Sequence, residues 1–272
     1  LVNAAETKGD LTGWVTLTNQ SGAAYENARL QLVAGDVHRV GPPPMDMVMR
    51  ERVAMAQAPV PQFAEEALGE YHLYTLQRPA SLLDQEQKQV TLLEAAGVAV
   101  AKRLIFRGDE GYFRGQIGEP MGNQKVGVFL DLENKKENGL GIPLPRGIVR
   151  VYKADKSGGR QFVGEDAIDH TPRDEKVRVR IGEAFDLVGE RRQTEYKVLG
   201  RCTSESAWKV ELRNHKDEPA EIEVIEPAGG DWEILSSSHP ATKDDVHSFR
   251  FLVKVPARGA ETVTYRVRVR WC

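Results

Sequence analysis

The residues of this chain that are chemically able to act as acids, bases, nucleophiles or metal ligands are scattered. The six histidines are His38, His72, His170, His215, His239 and His247. No two of them have the spacing of a zinc-binding pair, and no HExxH motif occurs. A run of three serines ends at Ser238 and precedes His239, but a catalytic triad needs a third group that holds the histidine in place. No GxSxG elbow is present either, so the sequence predicts no catalytic residue.

Acidic residues are plentiful, but their spacing matches no known ligand loop. The run Glu165–His170, followed by Asp174 and Glu175, lacks the alternating ligands and central glycine of a calcium loop. We interpret it as a solvated loop and predict no metal site. No phosphate-binding or dinucleotide-binding glycine motif occurs, so we expect no cofactor. A carboxylate pair for glycoside hydrolysis stays open, because only the distance between two carboxylates in space decides it.

The two cysteines, Cys202 and Cys272, lie 70 residues apart. Two cysteines alone cannot build a structural zinc site. The sequence leaves two alternatives, a disulfide or two unpaired thiols, and a disulfide would indicate an oxidising compartment.

Composition narrows the classes of partner. The net charge of −3 and the pI near 6.1 give no overall attraction for nucleic acid, so we expect no nucleic-acid partner. No apolar stretch approaches the ~20 residues that a transmembrane helix needs. The chain begins at Leu1 without a start methionine or signal peptide, which we interpret as a mature or truncated chain.

The elements that must position any site have the two-residue period of β-strands. At the C-terminal end Val263, Tyr265, Val267 and Val269 alternate with threonine and arginine, as in a strand with one buried face. The pattern recurs along the chain, with turn clusters about every ten residues. We therefore predict an all-β protein, an antiparallel β-sandwich whose C-terminal half is immunoglobulin-like.

We expect two parts, because glycines crowd the stretch between Gly108 and Gly122. Residues 1–118 are predicted to form a β-rich subdomain, and residues 119–272 an immunoglobulin-like sandwich. Within the first part, residues 41–69 contain three consecutive prolines and four of the five methionines. We interpret this segment as an insertion, either a surface loop or an adaptable partner-binding element with a short helix between Met45 and Gln57.

Two pairs of neighbouring strands are predicted to be hairpins. Residues 14–18 and 28–34 alternate on either side of a turn, and residues 207–213 and 220–225 do so on either side of Asn214–Glu218. The four tryptophans, Trp14, Trp208, Trp232 and Trp271, all lie in strand patterns. Core packing is the predicted role of these tryptophans, and a sugar-stacking platform is the alternative.

Charged residues occupy the outward positions of several strands. Arg266, Arg268 and Arg270 form one basic ladder and Arg178 and Arg180 another, while Glu221 and Glu223 form an acidic ladder. We interpret them as cross-strand partners that fix register. The alternative is a basic stripe that binds an anionic polymer such as an acidic polysaccharide.

Four segments together resemble a bacterial domain of unknown function, which also forms the C-terminal part of mucoidy-inhibitor-A-like proteins. These segments are Gly13–Gly22, Leu30–Val37, Lys88–Leu93 and Val263–Trp271, in that order. The resemblance covers nearly the whole chain, from about Asp10 to Trp271. It implies an exported or envelope-associated protein, periplasmic or secreted, and it assigns no catalytic residue.

These observations favour a non-enzymatic interaction or structural module of the bacterial cell envelope that binds protein or polysaccharide. The alternative is a hydrolase that acts on envelope polysaccharide through a carboxylate pair in an inter-domain cleft. A third hypothesis is a structural β segment that serves a missing partner region. The sequence specifies neither the ligand nor the oligomeric state.

Overall fold

The computed structural model describes residues 1–35 and 63–272. Within these ranges the chain forms strands joined by turns, with two short 3-10 turns at Glu110–Phe113 and Lys136–Asn138. The strands are β1 (Lys8–Thr18), β2 (Tyr25–Ala28), β3 (Gln31–Ala34), β4 (Phe63–Leu68), β5 (Tyr71–Leu76), β6 (Ala80–Leu82), β7 (Gln87–Arg107), β8 (Met121–Glu133), β9 (Gly147–Ala154), β10 (Arg160–Ile168), β11 (Lys176–Gly200), β12 (Thr203–Asn214), β13 (Ala220–Pro227), β14 (Asp231–Ser237), β15 (Ala241–Asp245), β16 (Ser248–Val255) and β17 (Gly259–Arg270). The predicted all-β class is confirmed.

The described residues divide into two compact units that are interleaved along the chain. The first unit contains residues 1–100, 132–162 and 167–177, and the second contains residues 101–131, 163–166 and 178–272. The sequence-based prediction instead places a single boundary between residues 118 and 119, which lies within the second unit. The interleaving arises because the long strands β7, β8 and β11 each contribute residues to both units.

The second unit is built on a sheet with the strand order β14-β17-β12-β11-β8-β7-β13-β16-β15. The sheet is mixed, since β7 and β13 run parallel while β12 and β17, for example, run antiparallel. Phe249 of β16 contacts Tyr265 of β17 with ring centroids 5.5 Å apart, although these strands are not neighbours in the sheet. The sheet therefore folds over itself and encloses a core between two layers, as in a β-sandwich.

Strand β17 shows how the sequence pattern produces this core. Its residues Val263, Tyr265, Val267 and Val269 are all buried, and the arginines between them point outward. The core also contains Phe106, Phe113, Trp208, Phe249 and Phe251. Burial of a Val or Phe side chain contributes about 1.5–3 kcal/mol, so the alternation specifies which face of the strand is internal.

The predicted hairpin of residues 207–213 and 220–225 is wrong. Strand β12 pairs with β11 and β17, whereas β13 pairs with β16 and β7, so the connection between them crosses from one layer to the other. Asn214 stabilises this crossing, because its Nδ2 donates to the carbonyls of Glu218 and Pro256 and its Oδ1 accepts from the Lys216 amide. A turn-rich sequence between two alternating segments is compatible with either connection.

The first unit contains the pairing of β1 with β7, the three-stranded sheet β3-β5-β4 and the pair β2-β6. Its core includes Phe63, Tyr74, Leu76, Val90 and Leu92. The predicted hairpin of residues 14–18 and 28–34 is also wrong, because β1 pairs with β7 and β3 pairs with β5. The longer β7 offers β1 a ladder over its whole length, which the four-residue β3 cannot provide.

The predicted insertion at residues 41–69 is only partly within the described residues. Residues 36–62, including the predicted helix between Met45 and Gln57, lie outside them. Residues Phe63–Leu68 form β4, which pairs along its full length with β5. The C-terminal end of the predicted insertion therefore belongs to the sheet, and Phe63 is part of the core.

Cys202 and Cys272 form a disulfide, with Cα atoms 5.7 Å apart. The bridge joins the β11–β12 turn to the residue that follows β17 by two positions. The Trp271 amide donates to the Cys202 carbonyl at 2.9 Å, so a backbone hydrogen bond accompanies the bridge. Of the two alternatives that the sequence left open, the structure has the disulfide.

The turn between β9 and β10 is organised around the carboxylate of Asp155. Oδ1 accepts from the amides of Ser157 and Gly159 and from Ser157 Oγ, and Oδ2 accepts from Gln161 Nε2. These hydrogen bonds, that from the Ser157 hydroxyl first, lower the pKa of Asp155 to about 2. Because they stabilise the ionised form, the turn gains stability above the ordinary Asp pKa near 3.8 and loses it as the pH falls through about 2.

We therefore expect Ser157→Ala to move the pKa of Asp155 back toward its ordinary value, because it removes the hydroxyl donor but leaves the backbone amide. The measurement is an NMR titration of the Asp155 carboxyl carbon. Glu165→Gln, which leaves the donors to Asp155 in place, serves as the control. A titration midpoint near 4 in the unmodified protein would contradict this account of the turn.

Candidate functional site

Ser238 and His239 lie at the turn between β14 and β15. His239 Nδ1 is 3.0 Å from Ser238 Oγ, and His239 Nε2 is 3.7 Å from Glu261 Oε1 on β17. The sequence analysis missed Glu261, because 22 residues separate it from the histidine. Ser238 Oγ also accepts a hydrogen bond from the Thr264 amide at 2.9 Å, and the Ser238 amide donates to the Thr264 carbonyl. These bonds extend the β14–β17 pairing by one residue, which gives the serine a structural role.

The acidic run Glu165–His170 spans the end of β10 and the loop after it. Asp166 Oδ2 accepts from the Arg180 amide, Asp169 Oδ1 accepts from the His170 amide, and His170 Nδ1 accepts from the Arg146 amide. These side chains are thus engaged with backbone donors. Within residues 1–35 and 63–272, no three His, Cys, Asp or Glu side chains converge as a metal ion would require.

The charged ladders form cross-strand ion pairs in part, with partners other than those interpreted from the sequence. Arg180 instead pairs with Glu183 on its own strand, and Arg270 donates to the Cys272 carbonyl. Arg268 pairs with Glu205 on β12 and with Glu233 on β14, and Arg266 pairs with Glu195 on β11. The acidic ladder of Glu221 and Glu223 does not serve these arginines. Glu223 instead pairs with Arg103 and Arg250.

On the other part of the same sheet, the charges alternate from strand to strand. Six neighbouring strands each contribute one residue, in the order β11-β8-β7-β13-β16-β15: Arg178, Asp131, Arg103, Glu223, Arg250 and Asp244. An exposed pair of this kind, such as Arg178 with Asp131, contributes about 0.2–1 kcal/mol, whereas the buried Glu223 would be costly to leave without its arginines. A register slip of any strand would break the row. Each arginine of the row therefore already forms an ion pair with a carboxylate of this protein.

The four tryptophans do not share one environment. Trp208 is fully buried, and Trp232 and Trp271 pack against the core of the second unit. Trp14 is 56% exposed. The predicted core role is wrong for Trp14, which lies on the outer face of the β1–β7 pair and leaves the alternative of a ring-stacking platform.

The neighbours of Trp14 form an uncharged polar surface, which we call the Trp14 strip. Trp14, Thr16 and Thr18 alternate along β1 with Val15 and Leu17, which face the core of the first unit. Directly opposite them on β7 lie Thr91, which is buried, and Gln89 and Gln87, which are exposed. In a chain with 28% charged residues, a face of five accessible residues without a charge is distinctive.

The strip also has side-chain hydroxyl and amide groups that can form hydrogen bonds with a ligand. The side chains of Thr16, Thr18, Gln87 and Gln89 make no hydrogen bond to any residue in the described part of the chain. From Trp14 to Thr18 the strand extends about 13 Å at ~3.3 Å per residue. An exposed indole ring beside hydroxyl and amide groups offers both a stacking surface and hydrogen-bond donors and acceptors.

A register shift between Gly13 and Trp14 determines which residues of β7 lie opposite the ring. On β1, Gly13 lies opposite Leu93 and Trp14 opposite Thr91, so one residue of β7 is passed over. A side chain at position 13 would meet Leu93 Cγ at 3.0 Å, so glycine allows the two strands to approach closely. The local sequence Gly13-Trp14 is the only signal of this bulge, and on its own it does not reveal the outer face.

No family model, curated protein or solved structure matches this chain. The resemblance to mucoidy-inhibitor-A-like proteins therefore stays a prediction. Across the described residues, no helix is long and apolar enough to cross a membrane.

Proposed function

We propose that this protein is a non-enzymatic binding module of the bacterial cell envelope, and that the Trp14 strip binds a neutral polysaccharide. The observation that carries the proposal is the exposure of Trp14 on a face of threonine and glutamine side chains. The C–H face of a sugar ring packs on an indole ring, and its hydroxyls exchange hydrogen bonds with hydroxyl and amide groups. The absence of charge on the strip disfavours an anionic polymer.

The site is preorganised, since the strip lies on two paired strands whose opposite face is packed on the core. Binding to such a surface costs little ordering of the backbone. A flat strip along the strand direction matches an extended chain of sugar units better than a compact small molecule.

The disulfide supports the envelope location. Structural disulfides form and persist in oxidising compartments such as the periplasm, and they are rare in a reducing cytoplasm. Both cysteines of the chain are in the Cys202–Cys272 bridge. This agrees with the location that the family resemblance implies.

The test measures binding of neutral glucans, mannans and galactans to the full chain by affinity electrophoresis, together with iodide quenching of tryptophan fluorescence. We expect at least one polysaccharide to retard the protein and to protect Trp14 from quenching. Trp14→Ala should abolish the retardation, and Trp14→Phe should preserve part of it because the ring face is kept.

The matched control is Phe185→Ala, which removes another exposed aromatic residue, 88% exposed, from the second unit. This variant should bind as the unmodified protein does. Retardation that Trp14→Ala does not change would overturn the proposal. Release of new reducing ends during the incubation would contradict the non-enzymatic role and favour a hydrolase.

A further inference from the structure

A second surface of the molecule, in the second unit, holds like charges directly opposite each other. On β11 and β12, Glu190 lies opposite Glu211, and two residues further along Arg192 lies opposite Lys209. These four side chains line a cavity of about 140 Å³. Like charges directly across two strands are destabilising, so each pair needs something to neutralise it.

The glutamate pair is neutralised within the protein. Arg213 Nη1 lies 3.8 Å from Glu190 Oε2 and 3.3 Å from Glu211 Oε1, so one guanidinium bridges both carboxylates. This bridge explains why the two acids tolerate their position.

The basic pair has no corresponding bridge. Lys209 Nζ lies 3.4 Å from Glu211 Oε2, which leaves ammonium donors free. The side chain of Arg192 is exposed and makes no ion pair or hydrogen bond to any of the residues that the structure describes. This contrasts with Arg178, Arg250, Arg266 and Arg268 on the same sheet, each of which contacts a carboxylate.

We propose that the cavity binds a small carboxylate ligand, whose anionic group bridges Arg192 and Lys209 as Arg213 bridges the glutamates. The planar guanidinium presents a two-donor fork that matches a carboxylate, and the ammonium supplies a third donor. The glutamate carboxylates are acceptors, so the far end of the ligand carries hydroxyl or amine donors. Their negative charge also disfavours a dianion such as phosphate.

The neighbouring strand β17 also presents polar side chains beside the cavity. On β17, Thr262 lies opposite Glu211 and Thr264 lies opposite Lys209, so hydroxyl side chains continue both rows. A hydroxylated monocarboxylate, with the chemistry of a sugar acid, places its carboxylate at the basic row and its hydroxyls at the acidic row. This site is separate from the Trp14 strip, and its test does not depend on the proposed function.

The experiment titrates the protein with glucuronate, glucose, acetate and inorganic phosphate while the backbone amides of residues 190–192 and 209–211 are followed by NMR. We expect saturable shifts with glucuronate, weaker ones with acetate and none with glucose. Arg192→Gln should weaken glucuronate binding by roughly tenfold or more, since a hydrogen bond to a charged group is lost.

Arg258→Gln is the matched control, because this exposed arginine pairs with Asp217 outside the cavity. It should bind glucuronate as the unmodified protein does. The proposal is overturned if no carboxylate gives saturable shifts at these amides, if phosphate binds more tightly than glucuronate, or if Arg192→Gln binds unchanged. Each of these outcomes leaves polysaccharide binding at Trp14 unaffected, so the two proposals fail independently.

Discussion

Replacing Arg191 by leucine is expected to destabilise the protein by about 3–5 kcal/mol, because it leaves the carboxylate of Glu226 buried without a counter-charge. Both side chains are fully buried in the core of the second unit. Arg191 donates from Nη2 and Nε to Glu226 Oε1 at 2.8 and 3.2 Å, and from Nη1 to Gln124 Oε1 at 2.9 Å. No other ion pair in the described residues has both partners fully enclosed.

The surroundings of this pair raise the cost of breaking it. The guanidinium of Arg191 lies 4.5 Å from the ring centre of Phe106 and 5.3 Å from that of Tyr112, so its charge also interacts with two aromatic faces. Burial raises the pKa of Glu226, and the adjacent guanidinium opposes that rise. Without Arg191 the burial effect is opposed only by the neighbouring hydroxyl of Tyr265, so the carboxyl must either remain charged at high cost or take up a proton.

The double variant Arg191→Leu/Glu226→Leu separates a lost interaction from an unpaired charge. Removing both charges is often neutral or stabilising, so the double variant should recover most of the loss. Arg178→Leu is the matched control, because Arg178 makes a two-point contact to Asp131 on the surface and should cost at most about 1 kcal/mol. The measurement is urea unfolding. A double variant as unstable as Arg191→Leu would show that the pair itself, and not the unpaired charge, provides the stability.

The partner of a buried charged residue such as Arg191 could not be predicted from the sequence. Arg191 and Arg192 are adjacent arginines in a strand that alternates, so the period alone assigns one of them to the inside. Arg191 can be charged at the buried position because Glu226, 35 residues away, pairs with it. No local sequence pattern reveals that partner. Gly108 reflects the same contact, since a side chain there would collide with Glu226 Oε2.

The buried face of β17 was predictable, whereas the partners of the strands were not. Alternation correctly placed Val267 and Val269 inside, because burial of apolar side chains is a property of one strand. Both predicted hairpins failed, because the pairing of β1 with β7 and of β12 with β17 joins segments far apart in the chain. Short turns between alternating segments favour hairpins only where no better long-range ladder is available.

For the candidate sites, too, the strands were predictable but the residues that lie opposite them were not. That Trp14 lies on a strand was evident from the sequence, but the residues beside its ring depend on the bulge opposite Gly13 and on the identity of the paired strand. The cavity of the second unit depends on register as well, since a shift of one residue would place Arg192 opposite a buried position. Chemistry carried by cross-strand neighbours becomes visible only when the register is known.

Opening the Cys202–Cys272 bridge is expected to lower the free energy of unfolding by roughly 4 kcal/mol, because the bridge closes a 70-residue loop in the unfolded chain. The loop contains β12 to β17 and therefore most of the core strands of the second unit. The folded ends are already held by the pairing of Thr203 with Arg270 and by the stacking of Arg114 on Trp271 at 5.1 Å. Reduction should therefore leave the fold intact while it enlarges the ensemble of the unfolded state.

The measurement compares urea unfolding with and without dithiothreitol, and the control is the double variant Cys202→Ser/Cys272→Ser. The variant should match the reduced protein and should not respond to dithiothreitol, which separates loss of the bridge from other effects of the reductant. Equal stability of the oxidised and reduced protein, with two titratable thiols after reduction, would contradict the expectation. A loss of several kcal/mol would mean that the chain depends on an oxidising compartment for its full stability, which is the condition that the proposed envelope function requires.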